Sequence, residues 1–306
     1  MPIEAVLDDI YYEPVKFMDA VSCPISDKKQ TMKIISKLQS VYPVKGFEHL
    51  KRVKSCKSQG SGLHIIICLK DQLSEEFLKK RLTLEVPASA PLTRKQFNEA
   101  SLCWPVNFHE DKKITRLLSA HVFTPNEEEI INKNMAKAIE MAKIGQKMAE
   151  CPVGAVVIDP TKDLVIAAAH DLRFQSGHPL KHAVMACVDL VAHSQGGGVW
   201  NCPDTLMYTS TESQISSEGN KMGPYLCTTY DLYVTHEPCV MCAMALVHSR
   251  VKRVFYSVPE KDGALGSNYK LHVQKHLNHH YEVYRGIMSK ECEMLLTTDC
   301  KSEAIT

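Results

Sequence analysis

Apolar positions along this 306-residue chain change their period repeatedly, and each change marks an element. Residues 17–23 read as a strand. Residues 26–41 read as a helix, because Ile34, Ile35, Leu38 and Val41 form an apolar stripe at helical spacing. Residues 49–57 follow as a strand and 59–62 as a turn. Leu63, Ile65, Ile67 and Leu69 then alternate with other residues, which is the period of another strand. Ser74 is placed to cap a short helix to residue 81, and residues 82–86 supply a last strand. The order strand, helix, strand, strand, helix, strand predicts an α+β, ferredoxin-like domain over residues 1–92.

A linker is expected over residues 93–123, with a short helix from Thr93. The second domain, residues 124–306, opens on a clear start signal. Thr124 is an N-cap, Pro125 occupies the first helical position and Glu127 completes a capping box. That helix runs to about residue 148. Strands follow at 154–158 and 164–170, then a helix from about residue 179, a long loop at 194–224 rich in Gly, Ser and Pro, and a strand at 230–235. A helix at 239–250, strands at 251–258 and 281–284, and a helix at 287–296 complete it. Strands alternating with helices indicate a layered α/β domain.

Composition adds little to this picture except in one region. With 44% apolar and 23% charged residues the chain is an ordinary globular protein, and its net charge of +1 says nothing about partners. Residues 28–57, however, hold nine basic residues against Glu48 alone. The acidic amino-terminal segment lacks the pattern of a signal peptide, and no apolar run approaches the length that spans a bilayer. Twelve cysteines in that context predict a reduced, intracellular protein rather than a disulfide framework.

Of those cysteines, only Cys239 and Cys242 have a spacing that asks for a metal. Three apart on the first turn of a helix, they point their sulfurs to one side, and the positive helix end favours their thiolates. A lone C-x-x-C also fits a buried pair or a redox pair. Preceded by Pro238 and a strand, and matched by His182 at the start of another helix, it reads as a zinc site of one imidazole and two thiolates. Zinc nucleobase deaminases pair H-x-E with P-C-x-x-C, the glutamate moving protons for a zinc-bound water. Here His182-Ala183 is followed by Val184, which cannot accept a proton. Asp171 and Glu150 are the substitutes that sequence distance leaves open. Glu237 is not one, since active relatives carry it beside their own catalytic glutamate.

Over about residues 124–297 the chain resembles the tRNA adenosine deaminases, which convert wobble adenosine to inosine. The resemblance is carried by the segment from Leu232 to Cys242, by His248-Ser249-Arg250, by Gly263 to Ser267 and by Leu277-Asn278-His279. It implies a cytidine-deaminase-like α/β/α three-layer domain with Zn2+ on His182, Cys239 and Cys242. Asp171 stands where catalytic members usually carry an asparagine that helps to hold the base. With Val184 and the added amino-terminal domain, the resemblance is to the non-catalytic subunit of the eukaryotic heterodimeric enzyme. It implies a catalytic partner subunit retaining His-Ala-Glu, a tRNA substrate, no membrane, and a place in the nucleus, the cytoplasm or both.

The basic region fits either a solvated face or contacts to tRNA phosphates. Lys29, Lys33 and Lys37 share one helix face, while Lys51, Arg52, Lys54 and Lys57 crowd one strand and its end, a density that suits phosphate binding. Two further readings remain: an active zinc deaminase with an unrecognised general base, and a zinc-stabilised RNA-binding scaffold with no deaminase partner.

Overall fold

The structure, a computed structural model, describes residues 2–43, 45–56, 62–70, 82–209 and 224–297. It divides into two compact units, one of residues 9–116 and one of residues 1–8 with 117–306.

The first unit is a four-stranded antiparallel sheet. Its strands are β2 (Phe17–Ile25), β3 (Val53–Cys56), β4 (Gly62–Leu69) and β5 (Leu82–Pro87), in the order β3-β4-β2-β5. That order, with helix α1 (Thr31–Val41) between the first two strands, is the one the ferredoxin-like reading calls for. The second helix of that reading, at 74–81, lies outside the described residues. Helix α1 starts later than expected because Asp27 accepts from the backbone N–H of Lys29 at 2.9 Å and starts a short 3₁₀ turn instead. Two apolar clusters show that both sheet faces are covered. Val21, Ile67 and Cys68 meet Leu38 of α1, while Ala20, Ile66 and Val86 meet Ala100, Trp104 and Val106.

Those last residues lie in the stretch expected to be a linker. Helix α2 (Arg94–Cys103) has a full capping box between Thr93 and Gln96, and Gln96 also donates to the carbonyls of Ile10 and Glu13. Trp104 is buried, and its indole N–H donates to the Lys51 carbonyl at 2.5 Å. Residues 93–116, including helix α3 (Lys112–Leu117) up to Arg116, therefore belong to the first unit, because their apolar side chains close the second face of its sheet.

The second unit holds a seven-stranded mixed sheet. Its strands are β1 (Glu4–Ala5), β6 (Gly154–Asp159), β7 (Leu164–His170), β8 (Met207–Tyr208), β9 (Asp231–His236), β10 (Arg253–Val258) and β11 (Glu282–Arg285), in the order β1-β11-β10-β9-β6-β7-β8. Strands β9, β10 and β11 run parallel, and β6 is antiparallel to both neighbours. Helix α4 (Pro125–Lys147) begins at the anticipated Thr124 capping box and packs on β6, β7 and β9. A Cβ on Gly154 would overlap the backbone of α4 at Ala138 and Ala142, so the helix and strand approach too closely for any side chain there. Helices α5 (Arg173–Ser176), α6 (Ala183–Ser194), α7 (Val240–His248) and α8 (Ser289–Thr297) complete the layers. The short strands β1 and β8 and the single turn of α5 have too few residues to show a period. Residues 1–8 were expected in the first domain. They instead bury Ile3, Ala5 and Val6 in the second unit's core, with Val6 N–H on the Val283 carbonyl at 2.8 Å.

Candidate metal centre and its cleft

Two helix starts build the centre. His182 is the N-cap of α6, Cys239 is the N-cap of α7, and Cys242 lies one turn on. Neither side chain makes a capping hydrogen bond at its own helix start, and the two face each other. One donor atom from each of His182, Cys239 and Cys242 lies within 4.8 Å of the other two, and Cys239 Sγ is 3.8 Å from His182 Nδ1. Tetrahedral zinc, with bonds of about 2.3 Å to sulfur and 2.0 Å to nitrogen, holds donors roughly 3.5–4 Å apart, so this donor set fits it. A hydrogen bond from Cys242 and the nearby imidazole pull the Cys239 thiol down to about 3, and Cys242 is pushed up because it keeps the shared proton. A soft divalent cation would displace that proton.

The three residues line a cleft of about 290 Å³. Val184 lies on its wall with 3% of its surface exposed, an isopropyl group one helical residue from Ala183 and two from the histidine. The carboxylates that sequence distance left open are committed elsewhere. Glu150 is buried and accepts from the backbone N–H groups of Phe174 (3.0 Å) and Gln175 (2.7 Å), holding the α5 turn. Asp171 does line the cleft, but both of its oxygens take the Arg173 Nε–H, at 2.9 and 3.0 Å. Glu237 accepts from the N–H groups of Glu260, Leu265, Gly266 and Ser267 and from the Ser267 hydroxyl. A Cβ on Gly263 would overlap that carboxylate, which explains the glycine at the head of the 263–267 segment.

One cleft residue escaped the sequence reading. His236 ends β9 with 3% exposure, its Nδ1 is 2.9 Å from the Thr235 hydroxyl, and its Nε2 has no hydrogen-bond partner among the described residues. Burial lowers its pKa to about 4, so the ring is neutral at pH 7. The only signal in the sequence was its place at the strand-to-helix crossing.

The basic residues of the first unit divide into two sets. Lys29, Lys33, Lys37 and Lys51 are exposed. Arg52 instead donates to the carbonyls of Leu38 and Tyr42 at the end of α1 and of Ile66 and Ile67 in β4. Lys54 donates to the Cys103 carbonyl at 2.6 Å and sits 5.7 Å from the Trp104 ring centre. These two were expected to meet phosphates, but carbonyl oxygens of the fold hold their cationic heads. Lys57 lies outside the described residues. On α7, Ala243 and Leu246 are wholly buried in the unit's own core. The exposed or half-exposed apolar positions of α7 are Val240, Met241, Met244 and Ala245.

Comparison with known proteins sharpens these observations. Residues 128–258 match the family described as the cytidine and deoxycytidylate deaminase zinc-binding region, and residues 18–104 match the tRNA-specific adenosine deaminase TAD3 N-terminal domain. A Danio rerio protein named probable inactive tRNA-specific adenosine deaminase-like protein 3 is 40% identical over 95% of this chain and 93% of its own length. The chain belongs to the tRNA-specific adenosine deaminase-like protein 3 family. The Homo sapiens member of that name is 37% identical over 95% of this chain and 90% of its own length. The Schizosaccharomyces pombe protein named tRNA-specific adenosine deaminase subunit tad3 is 32% identical over 78% of this chain and 74% of its own length. Both matched regions thus coincide with folded parts described above, the deaminase-like sheet and the ferredoxin-like sheet. Among the described residues no helix is long and apolar enough to cross a membrane.

Proposed function

We propose that this chain is the non-catalytic subunit of a heterodimeric tRNA adenosine deaminase that converts wobble adenosine to inosine beside a catalytic subunit retaining His-Ala-Glu. The observation that carries the proposal is Val184 on the wall of an otherwise well-formed metal cleft, with Glu150, Asp171 and Glu237 each bound to other groups. A general acid/base contributes about 10²–10⁴-fold to such reactions, and none of these carboxylates is free to supply it. His182 Nδ1 and the thiolates of Cys239 and Cys242 would hold Zn2+. When bound, zinc supplies a cross-link between the starts of α6 and α7 and lowers the pKa of a coordinated water. Arg173 holds both oxygens of Asp171, so the carboxylate is not available to orient a base as an asparagine amide would. The half-exposed side of α7 offers an apolar surface to the catalytic subunit. Lys29, Lys33, Lys37 and Lys51 meet tRNA phosphates. A tRNA substrate implies that the chain works inside the cell, in the nucleus, the cytoplasm or both.

The test is an inosine assay by mass analysis of digested tRNA. The pure chain should give no inosine, and its complex with the His-Ala-Glu subunit should give abundant inosine. Val184→Glu should restore little to the pure chain, because a proton carrier without base-positioning contacts lacks the reactive geometry. Robust turnover by the pure wild-type chain would sink the proposal.

The reading as an independent deaminase is favoured by His236 Nε2 in the cleft, which has no hydrogen-bond partner among the described residues. It requires that the pure chain be active and that His236→Phe abolish the activity.

A further inference from the structure

The amino-terminal unit carries a second cleft, of about 290 Å³, whose walls come from α2, the segment after it and the start of the strand region at Lys51. Inside it the rings of Phe97 and Phe108 stack nearly parallel, 5.0 Å between centroids and 17° between planes. The Arg94 guanidinium lies over both, 5.7 Å from Phe97 and 5.1 Å from Phe108. Arg94 also pairs with Glu110 at 2.5 Å, which cancels one positive charge and leaves the exposed ammonium of Lys51 as the excess cation of the cleft. Phe97 packs against the buried cluster of Trp104 and Val106, so the stack holds Phe108, half-buried, on the outer side.

A packing role alone accounts for Phe97. It does not account for a second ring stacked outward, a guanidinium plane beside it and, at the same opening, a lysine that pairs with no carboxylate among the described residues. Planar rings with an adjacent cation are how proteins hold unpaired bases, the ring taking the base face and the cation the phosphate. A duplex keeps its base faces stacked and could use only the lysine. The volume, about 290 Å³, lies just below the usual range of ligand pockets, about 300–1,000 Å³, which suits nothing larger than one nucleotide.

We propose that this cleft is a subsite for a single unpaired nucleotide of the RNA substrate, with the base against Phe108 and a phosphate on Lys51. The inference rests on the reading of this chain as a tRNA-handling subunit and adds to it a place, in the stretch expected to be a linker, where RNA is gripped by a base.

The experiment uses the full chain in complex with its catalytic subunit. The probes are a single-stranded RNA pentanucleotide with a central 2-aminopurine, the same oligonucleotide with an abasic centre, and intact tRNA. Stacking on Phe108 should quench the 2-aminopurine saturably. Phe108→Ala should weaken pentanucleotide binding by roughly 5- to 150-fold, the usual range for losing one base–aromatic stack, and Phe108→Tyr should keep it. Lys51→Glu, at an exposed position where folding is not at risk, should weaken it as well. The abasic oligonucleotide should bind the wild type as weakly as the intact one binds Phe108→Ala. If tRNA still binds but Phe108→Ala, with an unchanged thermal melt, holds the pentanucleotide like the wild type, the subsite is wrong and the tRNA-handling reading stands. Equal binding of the abasic and intact probes would exclude the subsite in the same way. If the wild-type complex binds no tRNA, both fall together.

Discussion

The Asp171–Arg173 pair shows how one residue decides what a cleft can do. Asp171 is 1% exposed and pairs with an arginine whose side chain keeps 32% of its surface. Removing the cation alone leaves a buried carboxylate without its partner, a change that costs about 3–5 kcal/mol for fully buried pairs and less where one member meets water. We expect Arg173→Ala to destabilise the protein by about 2 kcal/mol on that scale. Adding Asp171→Asn should recover part of that loss, a coupling that a double-mutant cycle in urea would measure. A second residue-scale expectation concerns pH. Burial lowers His236 and His272 to about 4, from an ordinary value of 6.5. Between those values the unfolded chain binds the proton and the folded chain does not, so each histidine's contribution is intact above about 6.5 and is lost as pH falls towards 4. The slope is about 1.4 kcal/mol per pH unit for each group. His272 donates its Nε2–H to the Val6 carbonyl, 2.8 Å away, well separated in sequence from His182, Cys239 and Cys242. His272→Gln should flatten the acid limb of a plot of melting temperature against pH by about half, and an unchanged limb would show that this histidine does not titrate on unfolding.

At the scale of elements, Arg52 has the clearest consequence. Its guanidinium satisfies carbonyls at the carboxy-terminal end of α1 and in β4, and burial lowers its pKa. Arg52→Ala would strand those carbonyls, at about 1–3 kcal/mol for unsatisfied buried groups. We therefore expect a lower melting temperature for Arg52→Ala, and any loss of tRNA affinity should follow that loss of fold. The exposed lysines of α1 behave oppositely. Replacing Lys29, Lys33 and Lys37 together with Glu should leave the melt unchanged. It should flatten the log–log salt dependence of tRNA binding by about 0.7–0.9 for each phosphate contact removed. Equal slopes for wild type and triple variant would assign these lysines to a solvated face.

On the scale of the whole molecule, the first eight residues and the last strand meet. Glu4 and Ala5 pair with Arg285 and Tyr284, and Glu4 also takes the Arg285 guanidinium at 2.9 Å. Ile3, Ala5 and Val6 are at most 9% exposed. Burying a side chain of this kind contributes about 1.5–3 kcal/mol for the larger ones, so the segment matters to a core built almost wholly from residues beyond 117. Deleting residues 2–8 should lower the stability of the deaminase-like unit by several kcal/mol, roughly, by that same scale. A fragment beginning at residue 117 should melt earlier than the full chain. Identical denaturation midpoints for the unit with and without residues 1–8 would refute this.

The sequence determined those features whose cause is local. The capping box at Thr124, the helical stripe of α1, the alternation in β4 and the spacing of Cys239 and Cys242 all depend on residues within a turn or two of each other. Val184 was legible for the same reason, since it sits two residues from His182. Tertiary structure alone decided the features whose partners lie far along the chain. It joined residues 1–8 to β11, closed the ferredoxin-like sheet with Trp104 and its neighbours, and turned Arg52 and Lys54 from expected phosphate ligands into carbonyl donors. It also fixed Glu237 in its ring of N–H groups, tied up Asp171 and left His236 Nε2 in the cleft without a partner among the described residues. A period or a spacing records how a residue relates to its neighbours in sequence. Which charge is neutralised, and which polar atom is left without a partner, depends on contacts that only the folded chain brings together.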